Sequence, residues 1–167
     1  NNKNLKLKLY NDFDKIDYIL KNRVDYVMNS IVGLSGLYPT LKVIKFTKKI
    51  AIANKESIIC GWNLIKKELN KHKTLFTPVD SEHFSILYAI NKANIDNINK
   101  IYLTASGGPL LNISREKIKN INIKDVLNHP TWKMGKKISV DSSTMMNKVF
   151  EIIEAKNIFN ISLNKLE

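Results

Sequence analysis

One cysteine, Cys60, is all the thiol chemistry that the 167-residue chain carries. That excludes a disulfide scaffold and any zinc site built from several cysteines, and it fits a reducing compartment. Long hydrophobic runs are missing too. No apolar stretch approaches the roughly 18 residues that a membrane-crossing helix needs, so a spanning protein is not expected. The opening Asn1-Asn2-Lys3 shows no basic-then-apolar leader, so secretion has no support, and the absent initiating Met suggests a piece of a longer protein. Arginine is scarce: Arg23 and Arg115 stand alone among 27 basic residues. The six glycines never form G-x-G-x-x-G, so the dinucleotide fingerprint is absent as well.

What is present can build a core, with 44% hydrophobic and 25% charged residues. The net charge of +12 invites a nucleic-acid reading. Phosphate readers gather their charge on one face and favour Arg for bidentate contacts. Here the Lys residues are scattered along every segment among abundant Asn and Ile, as a solvated surface would be. No nucleic-acid partner is expected.

Short apolar strands alternate with amphipathic helices, which predicts an α/β fold. A helix is expected over 12–22, where Phe13, Ile16, Ile19 and Leu20 fall at helical spacing, then a strand over 24–31. Gly33-Leu34-Ser35-Gly36 reads as a turn before a helix over 38–45. A buried strand at 50–53 runs into Asn54-Lys55-Glu56-Ser57, followed by a helix over 58–69 and a strand over 75–79 that delivers Asp80-Ser81-Glu82. Beyond it the pattern is less regular. A helix over 84–93, a polar connector at 94–100 and a strand at 101–104 lead to Ser106-Gly107-Gly108-Pro109. A helix over 114–120 capped by Ser114, a turn-rich stretch at 128–137 and a strong helix over 144–156 complete the pattern.

Polar clusters therefore recur where strands end, the edge at which open α/β sheets bind ligands. Asp80 and Glu82, two apart in an extended segment, point to one side, and such oxygen donors suit Mg²⁺ or Mn²⁺. The plain alternative is a solvated acidic turn, and a third carboxylate nearby would decide against it. Glu151 offers one: Asn147, Lys148 and Glu151 project from neighbouring faces of the last helix, with Ser142 or Ser143 just before it as an anion holder. The alternative there is an exposed polar helix whose core stripe is Met145, Met146, Ile152 and Ile153. Ser106-Gly107-Gly108 gives an anion access to backbone N–H groups, although it is also a plain turn. Trp132, near His129 and Met134, must pack in the core or cover a ligand. His72 and His83 read as structural or exposed, and Cys60 as a small buried residue.

Several stretches carry a family resemblance: Ala53-Asn54-Lys55-Glu56-Ser57, Pro78-Val79-Asp80-Ser81-Glu82-His83, Ser106-Gly107-Gly108-Pro109 and His129-Pro130-Thr131-Trp132-Lys133-Met134-Gly135. The last continues through Ile138-Ser139-Val140-Asp141-Ser142 to Met145-Met146-Asn147-Lys148, and Gly36-Leu37 with Pro39-Thr40-Leu41 adds a further match. In this order they resemble the 1-deoxy-D-xylulose 5-phosphate reductoisomerase family, NADPH enzymes of the non-mevalonate isoprenoid pathway. The resemblance implies the end of a Rossmann-like NADPH-binding domain over 1–80 joined to an incomplete α/β catalytic domain over 81–167, with a flap at about 128–136.

The resemblance also implies roles. Asp80, Glu82 and Glu151 match ligands of a divalent metal, Mg²⁺ or Mn²⁺ with Co²⁺ as a further candidate. Ser106, Ser142, Asn147 and Lys148 match residues at the substrate phosphate, with His129 beside them. Lys55 and Ser81 match contacts to the reacting end of the substrate, where Glu82 and Glu151 also face it, and Lys55 joins the three carboxylates in the implied catalytic set. Asn54, Glu56 and Gly135 match positions touching NADPH, while Trp132 and Met134 match the flap. The implied substrate is a small sugar phosphate, the complete protein a homodimer, and the location a bacterial cytoplasm or a plastid stroma.

Two positions depart from the pattern. Val149-Phe150 follows Lys148 where the family has Gly-Leu, and Phe84 replaces a smaller or polar residue. The glycine-rich NADPH loop and a C-terminal helical domain have no counterpart, so this chain alone is not expected to be a competent reductase. The competing readings are a related NADPH-dependent sugar-phosphate oxidoreductase, or a truncated, inactive basic protein that binds acidic partners.

Overall fold

The computed structural model describes residues 9–10, 12–90 and 95–167, and it resolves into two compact units, one ending at Val79 and one running from Asp80 to Glu167.

The first unit is a parallel sheet of β1 (Val24–Asn29), β2 (Thr47–Ile52) and β3 (Leu75–Pro78) in the order β1-β2-β3. Val27 lies opposite Ile50, and Ile50 opposite Phe76. Helix α1 (Leu37–Val43) makes the first crossover and α2 (Lys55–His72) the second. A central parallel strand is covered on both faces and so reads as a continuous apolar run. The second half of β2 fits this, with Ile50, Ala51 and Ile52 buried while Lys48 and Lys49 are exposed, and Val43, Ile44, Ile58, Ile65 and Leu69 are buried in the same unit.

Helix α2 begins three residues earlier than its apolar periodicity predicts. Asn54 caps it by accepting from the Ser57 amide at 2.6 Å, so the polar run that reads as a loop supplies the first turn. At the other end Lys73 takes a left-handed conformation, φ 51°, and the Thr74 amide bonds the Leu69 carbonyl at 3.0 Å. The helix expected over 12–22 is reduced to a 3-10 turn at Phe13–Lys15 and a short helix at Ile16–Ile19, of which only Ile16 is buried. A segment with one buried side chain has little packing to extend it. Cys60 is exposed rather than buried, because it falls on the outer face of α2.

The second unit is mainly helical. Helix α3 (Ser81–Ile90), helix α4 (Lys136–Ser143) and helix α5 (Met146–Phe159) carry its chemistry, with short helical turns at Arg115–Ile118 and Ile123–Leu127. Residues 91–93 of the helix expected over 84–93 lie outside the described residues, as does Asn94 of the expected connector. The strand expected at 101–104 is a single parallel bridge between Ile101 and Leu166, since its partner is only the Lys165–Glu167 stretch. Ile86, Ala155, Phe159 and Ile161 form the apolar cluster of this unit. No helix among the described residues is long and apolar enough to cross a membrane.

Candidate functional site

Asp80 and Glu82 flank the start of α3. The Phe84 amide bonds the Asp80 carbonyl at 2.8 Å, so the segment expected to be extended is already turning into helix. The carboxylates still converge, through the helix start rather than through strand alternation. Ligand oxygens of Asp80, Glu82 and Glu151 lie within 4.8 Å of one another. Oxygens on a six-coordinate Mg²⁺ at about 2.1 Å are about 3 to 4.2 Å apart, so the donor set fits such an ion with small adjustments. Glu151 is buried at 2% exposure on the inner face of α5.

A cation of the chain itself already serves these carboxylates. The Lys148 ammonium donates to Glu82 Oε1 at 3.2 Å and also contacts Glu151 Oε2 and the Thr104 carbonyl. The Asn147 amide donates to Glu151 Oε1. Partial burial pushes the Glu82 carboxyl up, but hydrogen bonds with Ser81 and Asp80, its backbone N–H and the Lys148 charge outweigh that and lower it to about 2. The Ser81 hydroxyl donates to Glu82 Oε2 at 2.7 Å.

Next to the carboxylates lies a cavity of about 50 Å³ whose walls include Ser106, Ser142, Asn147, Lys148, Glu82 and Glu151. Two backbone features shape it. Gly107 and Gly108 have φ of 88° and 66°, and a Cβ on Gly108 would sit 2.6 Å from the Ser142 carbonyl oxygen, so only glycine permits this approach. Met145 takes φ 62° at the corner between α4 and α5, a conformation that bulky side chains rarely adopt. That corner places Ser142, in the last turn of α4, beside Asn147 and Lys148, in the first turn of α5. Ser142 and Ser143 lie before the last helix, as expected, but as the end of a separate one.

His129 is buried and connects the cavity to the turn-rich segment. Its Nδ1 accepts from the Thr131 and Trp132 amides, each at 3.1 Å, so the ring proton resides on Nε2. Nε2 then donates to the Ser106 hydroxyl oxygen at 3.2 Å, and the Ser106 proton can be donated onward. Trp132 is 60% exposed and Met134 half-buried, so the indole is not a core residue. Gly135 is the residue before α4, with open space around it.

Asn54, Lys55 and Glu56 belong to the first unit. Asn54 is committed locally: besides capping α2 it donates to the Ile31 carbonyl and, at 2.7 Å, to the Gly33 carbonyl, tying two loops together. Lys55 is buried and Glu56 half-buried.

Several expectations are corrected. Met145 and Met146 are exposed, and the buried face of α5 carries Glu151, Glu154, Ala155 and Phe159 instead. Their spacing fits one helical stripe, but its two carboxylates masked it. His83 is fully buried, with Nε2 2.8 Å from the Glu151 carbonyl oxygen, a link that periodicity could not disclose. Of the departing residues, Phe84 and Val149 are exposed, and Phe150 packs under the Lys137 ammonium at 5.0 Å; none of the three lines the cavity.

A parallel α/β unit followed by a helical unit, with clustered carboxylates against a small polar cavity, defines an α/β protein whose ligand chemistry calls for a cation and an anion side by side. The comparisons are specific. A family model described as 1-deoxy-D-xylulose 5-phosphate reductoisomerase C-terminal domain matches residues 76–159, and one described as 1-deoxy-D-xylulose 5-phosphate reductoisomerase matches residues 1–61. The chain belongs to the 1-deoxy-D-xylulose 5-phosphate reductoisomerase family. It is 61% identical to the Pelagibacter ubique protein of that name and 44% identical to one from Clostridium kluyveri, each over 99% of this chain. It spans about 43% of the length of those relatives. A crystal structure of DOX-P reductoisomerase in complex with NADPH, fosmidomycin and magnesium superimposes with a TM-score of 0.80 at 39% identity, covering 93% of this chain and 40% of that one. The Zymomonas mobilis protein in complex with NADPH gives 0.80 at 37% identity, with the same coverage of both chains.

Proposed function

We propose that this chain is the metal- and phosphate-binding part of a reductoisomerase that rearranges 1-deoxy-D-xylulose 5-phosphate and reduces it to 2-C-methyl-D-erythritol 4-phosphate, using NADPH and Mg²⁺. The observation that carries the reading is the cavity whose wall is shared by Ser106, Ser142, Asn147 and Lys148 on one side and by Glu82 and Glu151 on the other. Solved relatives in complex with NADPH and magnesium support the cofactor and the ion.

Asp80, Glu82 and Glu151 would hold the divalent ion, which supplies Lewis-acid polarisation of the ketone and hydroxyl oxygens. NADPH supplies the hydride. Ser106 donates its hydroxyl proton to a phosphate oxygen, because His129 occupies its acceptor side. Lys148 supplies the charge for the phosphate. Since it now bonds Glu82 and Glu151, its transfer to a phosphate would release those oxygens, so anion and cation binding are coupled. Trp132 and Met134 close over the substrate and exclude water. Manganese suits the same oxygen donors. A homodimer of the complete protein and contacts of Lys55, Ser81, Asn54, Glu56 and Gly135 with substrate or NADPH rest on the family resemblance.

The test uses the complete protein. Substrate-dependent NADPH oxidation should disappear on chelation and return with Mg²⁺. Oxidation that persists in chelator contradicts the reading.

A further inference from the structure

The second unit buries a carboxylate that the proposed reaction does not use. Glu154 lies one turn beyond Glu151 on α5 and is 2% exposed. An interior carboxylate is tolerated where neighbours compensate it, and those of Glu154 include Asp80 and His83 beside the carboxylate site. Its neighbour across the helix pair is His83 of α3, which is fully buried.

The His83 ring is constrained on three sides. Nε2 lies 2.8 Å from the Glu151 carbonyl oxygen, and a carbonyl can only accept, so Nε2 carries a proton and donates it. Nδ1 faces Glu154 Oε2 at 3.9 Å, close contact but beyond hydrogen-bond distance. One face stacks on Phe159, with centroids 6.5 Å apart and planes 25° apart, against the apolar cluster. Asp80 adjoins both groups: its carboxylate lies within 4.8 Å of the His83 and Glu154 ligand atoms, and equally of those of Glu82 and Glu151. The ring therefore bridges the helix that starts between Asp80 and Glu82 to the backbone of the helix that carries Glu151.

We infer that Glu154 is a positioning residue that acts through His83 on Glu151, fixing where Glu151 presents its carboxylate beside Asp80 and Glu82; this rests on the metal reading above. Glu154 packs against the Nδ1 edge, and the Nε2 bond ties the ring to the Glu151 main chain. Without Glu154 that edge loses its support, the ring can tilt about the Nε2 bond, and the third carboxylate shifts against the other two.

The test is Mn²⁺ titration of the complete protein followed by the electron paramagnetic resonance of the free ion, with melting curves of the metal-free protein recorded in parallel. One Mn²⁺ per chain is expected in the unmodified protein. Glu154→Gln should weaken it by roughly 10–100-fold, the range for partners that orient a metal ligand. His83→Gln, whose amide can keep the Glu151 bond while losing the Nδ1 edge, should weaken it to a similar degree. The double variant should be no worse than the weaker single, because both changes cut one chain of contacts. Glu154→Asp keeps the charge and moves it by one methylene; it serves if the Gln variant does not fold, and it too should bind Mn²⁺ more weakly. Unchanged Mn²⁺ affinity in a folded Glu154 variant overturns the inference while leaving the metal site standing. Additive losses overturn it as well, because Glu154 would then not act through His83. Two Mn²⁺ per chain falling to one in Glu154→Gln would make Glu154 a ligand of a second ion rather than a positioner. No Mn²⁺ binding in the unmodified protein overturns this inference and the metal reading together.

Discussion

The two units bury different kinds of side chain. In the first, Ile44, Ile50, Ile52, Ile58 and Ile65 are almost completely enclosed, and the buried Asn29, Thr40, Asn54 and Thr74 hydrogen-bond to neighbouring backbone. In the second, the buried apolar set is Ile86, Ala155, Phe159 and Ile161, and His83, His129, Glu151 and Glu154 are enclosed with them. An apolar interior with satisfied amides is a stability device. Enclosed ionisable groups oppose stability, and they persist where their charge is used. Apart from Lys55, buried at the start of α2, the chain thus separates scaffold from chemistry, and substitutions in the two interiors should fail in different ways.

The largest expected effect sharpens that contrast. In the complete protein, Glu151→Gln should lower turnover by roughly 10²–10³-fold, as several kcal/mol of metal-borne charge stabilisation is lost. Circular dichroism should find the fold retained, since the change replaces a buried charge with a neutral isostere. Ile65→Ala in α2 should do the opposite. Removing a fully enclosed side chain costs about 2–5 kcal/mol of stability, read by denaturant unfolding, while Mn²⁺ affinity stays the same. A shift in Mn²⁺ affinity with Ile65→Ala would break the comparison.

Lys148→Ala comes next. Loss of a charge-assisted contact worth about 1.5–3 kcal/mol should raise KM for the phosphorylated substrate by roughly 10–100-fold. An unchanged KM contradicts its assignment to the phosphate. The smallest effect belongs to Asn54→Ala. Losing the α2 cap should cost about 1 kcal/mol in unfolding experiments. If NADPH affinity falls much further than that, Asn54 also contacts the cofactor, as the family resemblance implies.

Much of this was legible in the residues, for identifiable reasons. β2 and β3 announce themselves as apolar runs, and the polar clusters that follow them mark the edge where α/β proteins bind ligands. Glu151, Asn147 and Lys148 share one turn of helix, so their proximity follows from spacing alone. The missing parts depend on tertiary placement. The corner at Met145 needs a non-glycine residue at positive φ, which no local pattern predicts, and α4, the helix that ends there, is absent from the expected elements. Asp80-Ser81-Glu82 looks extended because a strand precedes it, but the Phe84–Asp80 bond starts the helix there. Glu154 looks like a surface residue by type, and His83 reads equally as structural or exposed; both become interior only when α3 and α5 pack.

The central claim is that Asp80, Glu82 and Glu151 converge to hold one divalent cation. The most direct measurement is anomalous diffraction from crystals of the complete protein grown with Mn²⁺. The expected result is one anomalous peak bonded at about 2.1 Å to a carboxylate oxygen from each of Asp80, Glu82 and Glu151, with the Lys148 ammonium withdrawn from Glu82 and Glu151. A peak held by other residues, or no peak with Lys148 still bonded to both carboxylates, would contradict it.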